Sequence, residues 1–382
     1  MERRGYFHQK FGGQYMPESL MNALSGMEGE HRFVAHDQCF TKELDYFCNE
    51  YGGRKTPLYK ARLLSKKYGP DIYFKREDLL YCGGSSFQAI AGQMIIGKRT
   101  GKNKVLIPVC NPQHGCIAAG LAAAMGMACE VVMPEITARS RHEEILEMQL
   151  FNALITIIPG NYEDVCGAAK ARWISQAPEV VYIQTRAAGP HPYPLMVREY
   201  QKVIGEEMKE QMMEACGKLP ELVIAAVGDD AAAIGAFTVF ESETGVKLIA
   251  AEREDHAVLS RGEEGIAEGM RSLFLQNEQG DCLPGRIFMD MPCQAGAEPE
   301  LAALAAEKRV FPSVVTREEA IDAALEVAAL EGFLPGENSS YAVAEALKAS
   351  RDYALDENIV VVLSGKAEKS WMETCMRKKV ER

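Results

Sequence analysis

Short apolar runs rich in β-branched residues recur along this chain, and segments with helical spacing lie between them. The runs predict strands, which fall at residues 72–74, 105–110, 130–133, 154–158, 180–183, 222–227, 246–251 and 359–363. Apolar residues return at helical spacing in 86–100, 115–125 and 145–150. Strands that alternate with helices predict an α/β architecture with parallel sheets covered on both faces. At 382 residues the chain is long enough for two domains.

Composition restricts the partners and the compartment that we expect. The formal net charge of −12 argues against nucleic acid or an anionic membrane surface as the main partner. The weakly polar stretch 116–133 is rich in alanine and glycine, and we interpret it as a buried helix running into a strand. The N-terminus has charges but no apolar core, so we do not expect a signal peptide. Eleven cysteines without a C-x-x-C pair fit reduced thiols in the cytoplasm.

The turns that follow the predicted strands are where a ligand is expected. In open parallel sheets, ligands bind beyond the carboxyl ends of the strands. Here those turns are 81–87, 110–115, 228–233 and 364–368. Two further local features stand out: Thr316 and Glu319 form a capping-box pattern before a helix predicted at 317–330, and residues 276–285 predict an exposed loop.

Four segments point to a known family. They are FGGQYMPESLMNAL, GGRKTPLYKARLLSKKYGPDIYFKREDLL, QHGCIAAGLAAAMGMACEVVMP and AAGPHPYPLMVREYQKVIGEE, which begin at residues 11, 52, 113 and 187. In order, they resemble the N-terminal arm, the stretch before the cofactor lysine, the substrate-carboxylate loop with its helix, and a segment near the subunit interface of the tryptophan synthase β family. These proteins are fold-type-II pyridoxal phosphate (PLP) enzymes. The resemblance covers nearly the whole chain, but 252–297 fits poorly.

The resemblance implies a fold and a division into domains. The fold is two open, twisted, mostly parallel sheets covered by helices. We expect residues 1–54 to form an arm joined to 55–90 and 206–382, the larger cofactor-side domain. We expect 91–205 to form a smaller mobile communication domain. The resemblance also implies a homodimer.

The cofactor lysine is the first family feature that is missing. The resemblance places a histidine and the lysine at Ser85 and Ser86. Neither hydroxyl can form the covalent bond that a lysine amine forms with PLP. A shift of one residue does not help, because residues 76–97 contain no lysine. We therefore predict no bound cofactor, and PLP is implied by resemblance alone.

Two other lysines could be considered as replacements. Lys75 belongs to KREDLL, and we interpret it as an ion-pair partner of Glu77 or Asp78. Lys366 lies near a pocket turn, but it would approach the cofactor ring from the wrong side if Ser364 kept its family position. In the family, the serine hydroxyl at this position contacts the pyridine nitrogen of the cofactor. Alternatively, Ser364 belongs to a simple Ser-Gly turn that ends a strand.

The phosphate-binding turn is the second missing feature. The family cradles the phosphate with backbone N–H groups of a glycine-rich turn, whereas this chain has Gly228, Asp229, Asp230, Ala231 and Ala232. A carboxylate about 4 Å from a phosphate charge costs about 4 kcal/mol at an effective dielectric near 20. Micromolar binding is worth only about 8 kcal/mol in total. Alternatively, the two aspartates cap the following helix.

The catalytic glutamates are the third family feature that is missing. The resemblance places them at Pro108, which cannot act as an acid or base, and at Asn338, with Glu337 adjacent. We expect the strand-end residues to share one ligand pocket without metal; they are Ser85, Ser86, Cys110, Asn111, Gln113, His114, Gly228, Asp229, Asp230 and Ser364. A thiol or metal site from Cys82, Cys110, His114 and Asp229 is a weaker alternative.

Three functions follow from this pattern. The first is a pseudoenzyme that has lost PLP binding and tryptophan synthesis and serves as a subunit for an α-like chain or an active β paralogue. The second is a remodelled pocket that binds or processes an amine, an amino acid or a cation. The third, which we rank last, is a PLP-dependent lyase that makes tryptophan from indole and serine.

Overall fold

The computed structural model describes residues 5–283 and 296–381, and between them the backbone of Gly285–Arg286 and Pro292–Cys293. Its strands are β1 (Tyr6–Phe7), β2 (Phe11–Gly12), β3 (Leu58–Lys60), β4 (Asp71–Lys75), β5 (Lys104–Pro108), β6 (Ala128–Pro134), β7 (Leu154–Ile158), β8 (Val180–Tyr182), β9 (Leu222–Ala226), β10 (Lys247–Arg253), β11 (Glu263–Ala267), β12 (Met270–Phe274), β13 (Gly285–Arg286), β14 (Pro292–Cys293), β15 (Val310–Val315) and β16 (Asn358–Val362). Its α-helices are α1 (Met21–Val34), α2 (Gln38–Asp45), α3 (Arg62–Tyr68), α4 (Phe87–Arg99), α5 (Pro112–Met125), α6 (Glu135–Ser140), α7 (His142–Leu150), α8 (Tyr162–Gln176), α9 (Tyr193–Gln201), α10 (Val203–Cys216), α11 (Ala232–Thr238), α12 (Val258–Arg261), α13 (Pro299–Ala306), α14 (Arg317–Glu331), α15 (Glu337–Ala349) and α16 (Lys369–Glu381).

The chain divides into two compact units. The first unit is Met1–Arg54, Ser86–Tyr200 and Gly262–Ala303. The second unit is Lys55–Ser85, Gln201–Arg261 and Leu304–Arg382. Each unit has its own sheet, and each is described by itself below.

The second unit contains a six-stranded sheet in the order β15-β10-β9-β16-β4-β3. Neighbouring strands are parallel except at the edge, where β3 runs antiparallel to β4. Every residue of β9 and β16 is buried, which explains why these strands read as continuous apolar runs instead of alternating ones. One face is covered by α14 and α15, whose apolar residues share a core with the sheet.

The first unit contains a parallel four-stranded sheet in the order β7-β6-β5-β8 and an antiparallel sheet in the order β1-β2-β12-β11. Helix α5 leaves the carboxyl end of β5. Its start is set by Asn111, whose side chain accepts a hydrogen bond from the Gln113 N–H, and by Pro112 at the first position. It ends at Gly126, whose φ of 70° is the left-handed conformation that glycine tolerates at low cost.

The strand and helix predictions are confirmed in type, with ends shifted by a few residues at most. The capping box is also confirmed: Thr316 accepts from the Glu319 N–H while Glu319 accepts from the Thr316 N–H, at the start of α14. Strand β15 was missed, because a proline and a serine interrupt its apolar run and only its two end residues are fully buried. The predicted loop 276–285 contains a turn at 277–280, and its residue 284 lies outside the described residues.

The domain prediction differs from the structure in the placement of the N-terminal arm. Residues 1–54 belong to the first unit together with 86–200, whereas we expected them to join the larger domain. The reason lies in packing within the first unit: β2 pairs with β12, and Arg99 of α4 forms ion pairs with Glu30 and Asp37. The segment 262–303 also joins the first unit.

None of the helices in the described ranges has the length and apolar character needed to cross a lipid bilayer. The predicted stretch 116–133 forms the buried part of α5 followed by β6.

Candidate functional site

The turn after β9 is filled by the side chains of its own two aspartates. Asp230 Oδ1 accepts a hydrogen bond from the Ala232 N–H at 3.0 Å, and Ser85 Oγ donates to Asp230 Oδ2 at 3.0 Å. Both aspartates are buried. The Asp230 carboxylate therefore accepts the hydrogen bond of a backbone N–H group at the start of α11. In a glycine-rich turn, that N–H group would be available to a bound anion.

Asp229 is held by a hydrogen bond from helix α15. Asn338 Nδ2 donates to Asp229 Oδ1 at 2.7 Å. The same amide lies so close to Gly228 that a Cβ at that position would collide with it. Asn338, which the resemblance places at a family glutamate position, thus fixes the first aspartate of the turn. Sequence reasoning did not find this contact, because the two residues are 109 positions apart.

Ser364 lies just past the carboxyl end of β16, and Ser85 lies beside it. The Ser85 N–H donates to the Ser364 carbonyl at 2.9 Å, and Gly84 forms a β-bridge with Gly365. Both serines are buried. The second unit therefore brings together four of the predicted pocket residues, Ser85, Asp229, Asp230 and Ser364, with Gly228 in the same turn.

Lys75 does not make the ion pair that we expected as its main contact. Its Nζ donates to Glu207 Oε2 at 2.5 Å, to the Thr56 carbonyl at 2.8 Å and to Gln211 Oε1 at 3.0 Å. Glu77 is more distant at 3.9 Å, and Asp78 pairs with its neighbour Arg76 instead. The ammonium group is completely buried and committed to these partners.

Lys366 is exposed, and its aliphatic carbons pack against Gly83, where a Cβ would collide with them. Gly83 is difficult to replace for two reasons: the aliphatic carbons of Lys366 fill the space of a Cβ, and its φ of 73° favours glycine.

In the first unit, Ser86 directly precedes α4 and is fully buried. Its Oγ has no hydrogen-bond partner among the residues that the structure describes. Cys110, Asn111, Gln113 and His114 are buried around the end of β5 and the first turn of α5. Their positions follow from the cap at Asn111, which turns the chain from strand into helix.

Pro108 is the last residue of β5, in register with Val132 of the parallel neighbour β6. A proline fits there because the strand ends at that residue. Of the ten residues predicted to line a pocket, five belong to the first unit and five to the second. Across the described ranges, no group of three or more His, Cys, Asp or Glu side chains could hold a metal ion, which leaves the thiol or metal alternative without structural support.

Comparison with known proteins identifies relatives over nearly the full length. The family described as pyridoxal-phosphate dependent enzyme matches residues 50–365. Tryptophan synthase beta chain 1 of Methanosarcina acetivorans is 36% identical, with 96% of this chain and 94% of that protein covered. The tryptophan synthase beta chain of Shouchella clausii is also 36% identical, with coverage of 98% and 96%.

Two solved structures share the fold. A fungal L-serine ammonia-lyase from Rhizomucor miehei superposes with a TM-score of 0.65 at 15% identity, covering 85% of this chain and 98% of that chain. The processed form of threonine deaminase isoform 2 from Solanum lycopersicum superposes with a TM-score of 0.67 at 15% identity, covering 98% and 92%. The predicted α/β, fold-type-II architecture is confirmed.

Proposed function

This chain belongs to the family of pyridoxal-phosphate dependent enzymes and is tryptophan synthase β-like, and we propose that it is a pseudoenzyme that serves as a partner subunit. One observation carries the proposal. Two buried, hydrogen-bonded carboxylates occupy the turn at which the resemblance places the cofactor phosphate.

The residues present do not fit PLP. A phosphate dianion placed at the turn would meet Asp229 and Asp230, and the Ala232 N–H is already used by Asp230. Swinging the carboxylates away would break the hydrogen bonds from Ser85 and Asn338. Attachment fails as well, because Ser86 replaces the lysine, Lys75 is buried in ion pairs, and Lys366 is exposed.

We expect that the purified chain, mixed with PLP, shows no absorbance band of a covalent adduct and no label after borohydride reduction. The matched variant is Lys366→Ala, which removes the replacement lysine nearest to a pocket turn and should behave like the wild type. A borohydride-stable adduct on the wild type, mapped by mass spectrometry to any lysine of this chain, would contradict the loss of cofactor chemistry.

The partner role is supported by the two segments that most resemble the family, the arm and the segment that begins at Ala187. They bind each other within the first unit. The His191 N–H donates to the Gly13 carbonyl at 2.8 Å, and Gln14 Nε2 donates to the His191 carbonyl at 2.7 Å. His191 Nε2 also lies 3.0 Å from Glu28 Oε1 of α1. The two retained segments and the altered pocket together favour binding of another chain over catalysis.

We expect the tagged chain to retain a tryptophan synthase α-like chain or an active β paralogue from the same cell. Phe33 of α1 is 64% exposed beside the arm, so Phe33→Asp should weaken that capture at least fivefold. Leu355 of the second unit is 78% exposed and provides the control, because Leu355→Asp should leave capture unchanged. Equal capture by both variants, or none by the wild type, would count against the partner role.

The remodelled pocket for an amine, an amino acid or a cation stays a hypothesis. It is favoured by the buried carboxylates of Asp229 and Asp230, which suit a positive group. It would gain support if amines stabilised the wild type against heat but did not stabilise Asp229→Asn/Asp230→Asn, and it would fail if the two responded alike.

A further inference from the structure

A small cavity lies within the first unit, and none of its lining residues belongs to the pocket discussed above. Its walls include Tyr162, Cys166 and Lys170 from α8, Tyr182 from β8, and Glu268. The volume is about 30 Å³. A cavity needs about 10–15 Å³ on this measure to hold one water molecule, so this one can take a compact polar head group.

Glu268 reaches this cavity from a strained position. It is the first residue of the two-residue turn between β11 and β12, where its φ is 55°, and Gly269 follows with a φ of 86°. Such turns favour Asn, Asp or Gly at the first position, because a longer side chain is crowded there. A glutamate at this position strains the turn and puts a carboxylate in the cavity. Strained backbone of this kind clusters at binding sites.

Glu268 is the one acidic side chain among the lining residues, and its charge acts on neighbouring groups. Burial raises the pKa of Glu163, beside the cavity, to about 7, and the charges of Glu268 and Asp164 add to the rise. Burial also raises the pKa of the Cys166 thiol to about 12, with Glu268 as the next cause. The backbone N–H of Gly296 donates to Glu268 Oε2, at a long 3.4 Å. Among the described residues this is the hydrogen-bond donor to Glu268, and one weak neutral donor leaves most of the acceptor capacity of the carboxylate for a ligand.

Tyr182 contributes a second acceptor. Its hydroxyl is buried and has no hydrogen-bond partner among the described residues. The Tyr182 ring is held in place because it stacks on Trp173, with 4.8 Å between the ring centroids. The backbone carbonyl of Tyr182 also accepts a hydrogen bond from the Tyr193 hydroxyl. A buried hydroxyl without a partner is costly, so a group that supplies a proton donor should be held there. The rings of Tyr162 and Tyr182 also favour a cation over an anion.

Two cationic side chains border the same space. Arg186 is anchored, since its Nη2 donates to the Gly296 carbonyl at 2.5 Å. Lys170 lies one helical turn beyond Cys166 and lowers the pKa of that thiol less than Glu268 raises it. Lys170 is therefore the competitor that a positively charged ligand has to displace from the neighbourhood of Glu268.

From this arrangement we infer that the cavity binds a primary ammonium group, with Glu268 as its counter-ion and the Tyr182 hydroxyl as a second acceptor. The inference does not depend on the loss of the cofactor or on the partner role, since neither was argued from Glu268 or Tyr182.

The test is a titration of the full-length chain with methylammonium chloride, at an ionic strength held constant with sodium chloride, followed by isothermal calorimetry and by NMR. We expect saturable binding to the wild type and at least tenfold weaker binding to Glu268→Gln, which loses the charge but keeps the shape. Lys170→Met should bind severalfold more tightly, because the competing ammonium is gone.

Glu268→Gly separates binding from folding. Glycine relieves the strained φ, so this variant should unfold at a higher temperature than the wild type and still fail to bind methylammonium. Equal binding by wild type and Glu268→Gln would overturn the inference, and so would the absence of saturable binding to the wild type. Saturable binding of acetate that Lys170→Met abolishes would also overturn it, by assigning the cavity to an anion.

Discussion

Lys75→Met is expected to lower the free energy of unfolding by about 3–5 kcal/mol, the range for removing one member of a buried ion pair. The ammonium group is completely buried, 2.5 Å from Glu207 Oε2 and 3.9 Å from Glu77 Oε1. Methionine is unbranched and only one atom shorter than lysine, so it keeps most of the packing. It leaves the Glu207 carboxylate without its positive partner in a region from which water is excluded, and that desolvation is the cost.

The measurement is urea unfolding followed by circular dichroism, with Lys60→Met as the matched control. Lys60 also lies 2.5 Å from a carboxylate, that of Asp71, but the two side chains are 42% and 32% exposed. Solvent screens that pair, so its loss should cost about 0–1 kcal/mol. Adding Glu207→Leu to Lys75→Met should recover part of the stability, because the buried Glu207 carboxylate is then removed together with the ammonium group that it paired with. If Lys75→Met and Lys60→Met cost the same, the buried network is not a stabilising element of the second unit.

The second large effect is a gain of cofactor binding by Ser86→Lys/Asp229→Gly/Asp230→Gly. The triple variant restores the attachment amine and makes the turn Gly-Gly-Gly, the sequence that the family resemblance associates with the phosphate. Each carboxylate removed relieves about 4 kcal/mol of repulsion at about 4 Å with an effective dielectric near 20. We therefore expect micromolar PLP binding and a borohydride-stable adduct on the new lysine, where Ser86→Lys alone gives neither.

Two controls separate attachment, charge and fold. Ser86→Met in the Asp229→Gly/Asp230→Gly background fills the same buried space without an amine, and it should give no reducible adduct. Asp229→Asn/Asp230→Asn with Ser86→Lys removes the charges but keeps side chains in the turn, and it should bind more weakly than the glycine version. The interpretation is wrong if Ser86→Lys alone binds PLP as tightly as the triple variant, provided that both unfold at similar temperatures.

Much of the architecture could be predicted from local sequence. The buried strands β9 and β16 are continuous apolar runs, and the start of α14 is set by Thr316 and Glu319, which are three residues apart. Such signals are readable because the residues that interact are neighbours in the chain. The two-unit division was harder to place, since the arm is held by contacts such as Arg99 with Asp37, and these depend on how the helices pack.

Only part of the chemistry of the predicted pocket could be inferred from the sequence. Absence can be read directly: Ser86 is not a lysine in any conformation, and Pro108 is not an acid. What replaces the lost groups depends on residues far apart in sequence. Glu207 lies 132 positions from Lys75, and Asn338 lies 109 positions from Asp229. We expected Lys75 to pair with Glu77 or Asp78, which are close in sequence. In the folded chain its shortest ion pair is with Glu207.

The sequence by itself determined the family and the α/β order of strands and helices, and it placed Ser86, Pro108 and two aspartates at the positions on which our proposal depends. These depend on residue identity and on short-range periodicity, which survive in the unfolded chain. Only the tertiary structure decided that the Asp229 and Asp230 carboxylates are fixed in the turn by Asn338 and Ser85, and that Glu268 lines a cavity. Glu268 lies within 252–297, where resemblance gave no guidance. Its role depends on a positive φ and on side chains of three other segments, which come together only when the chain is folded.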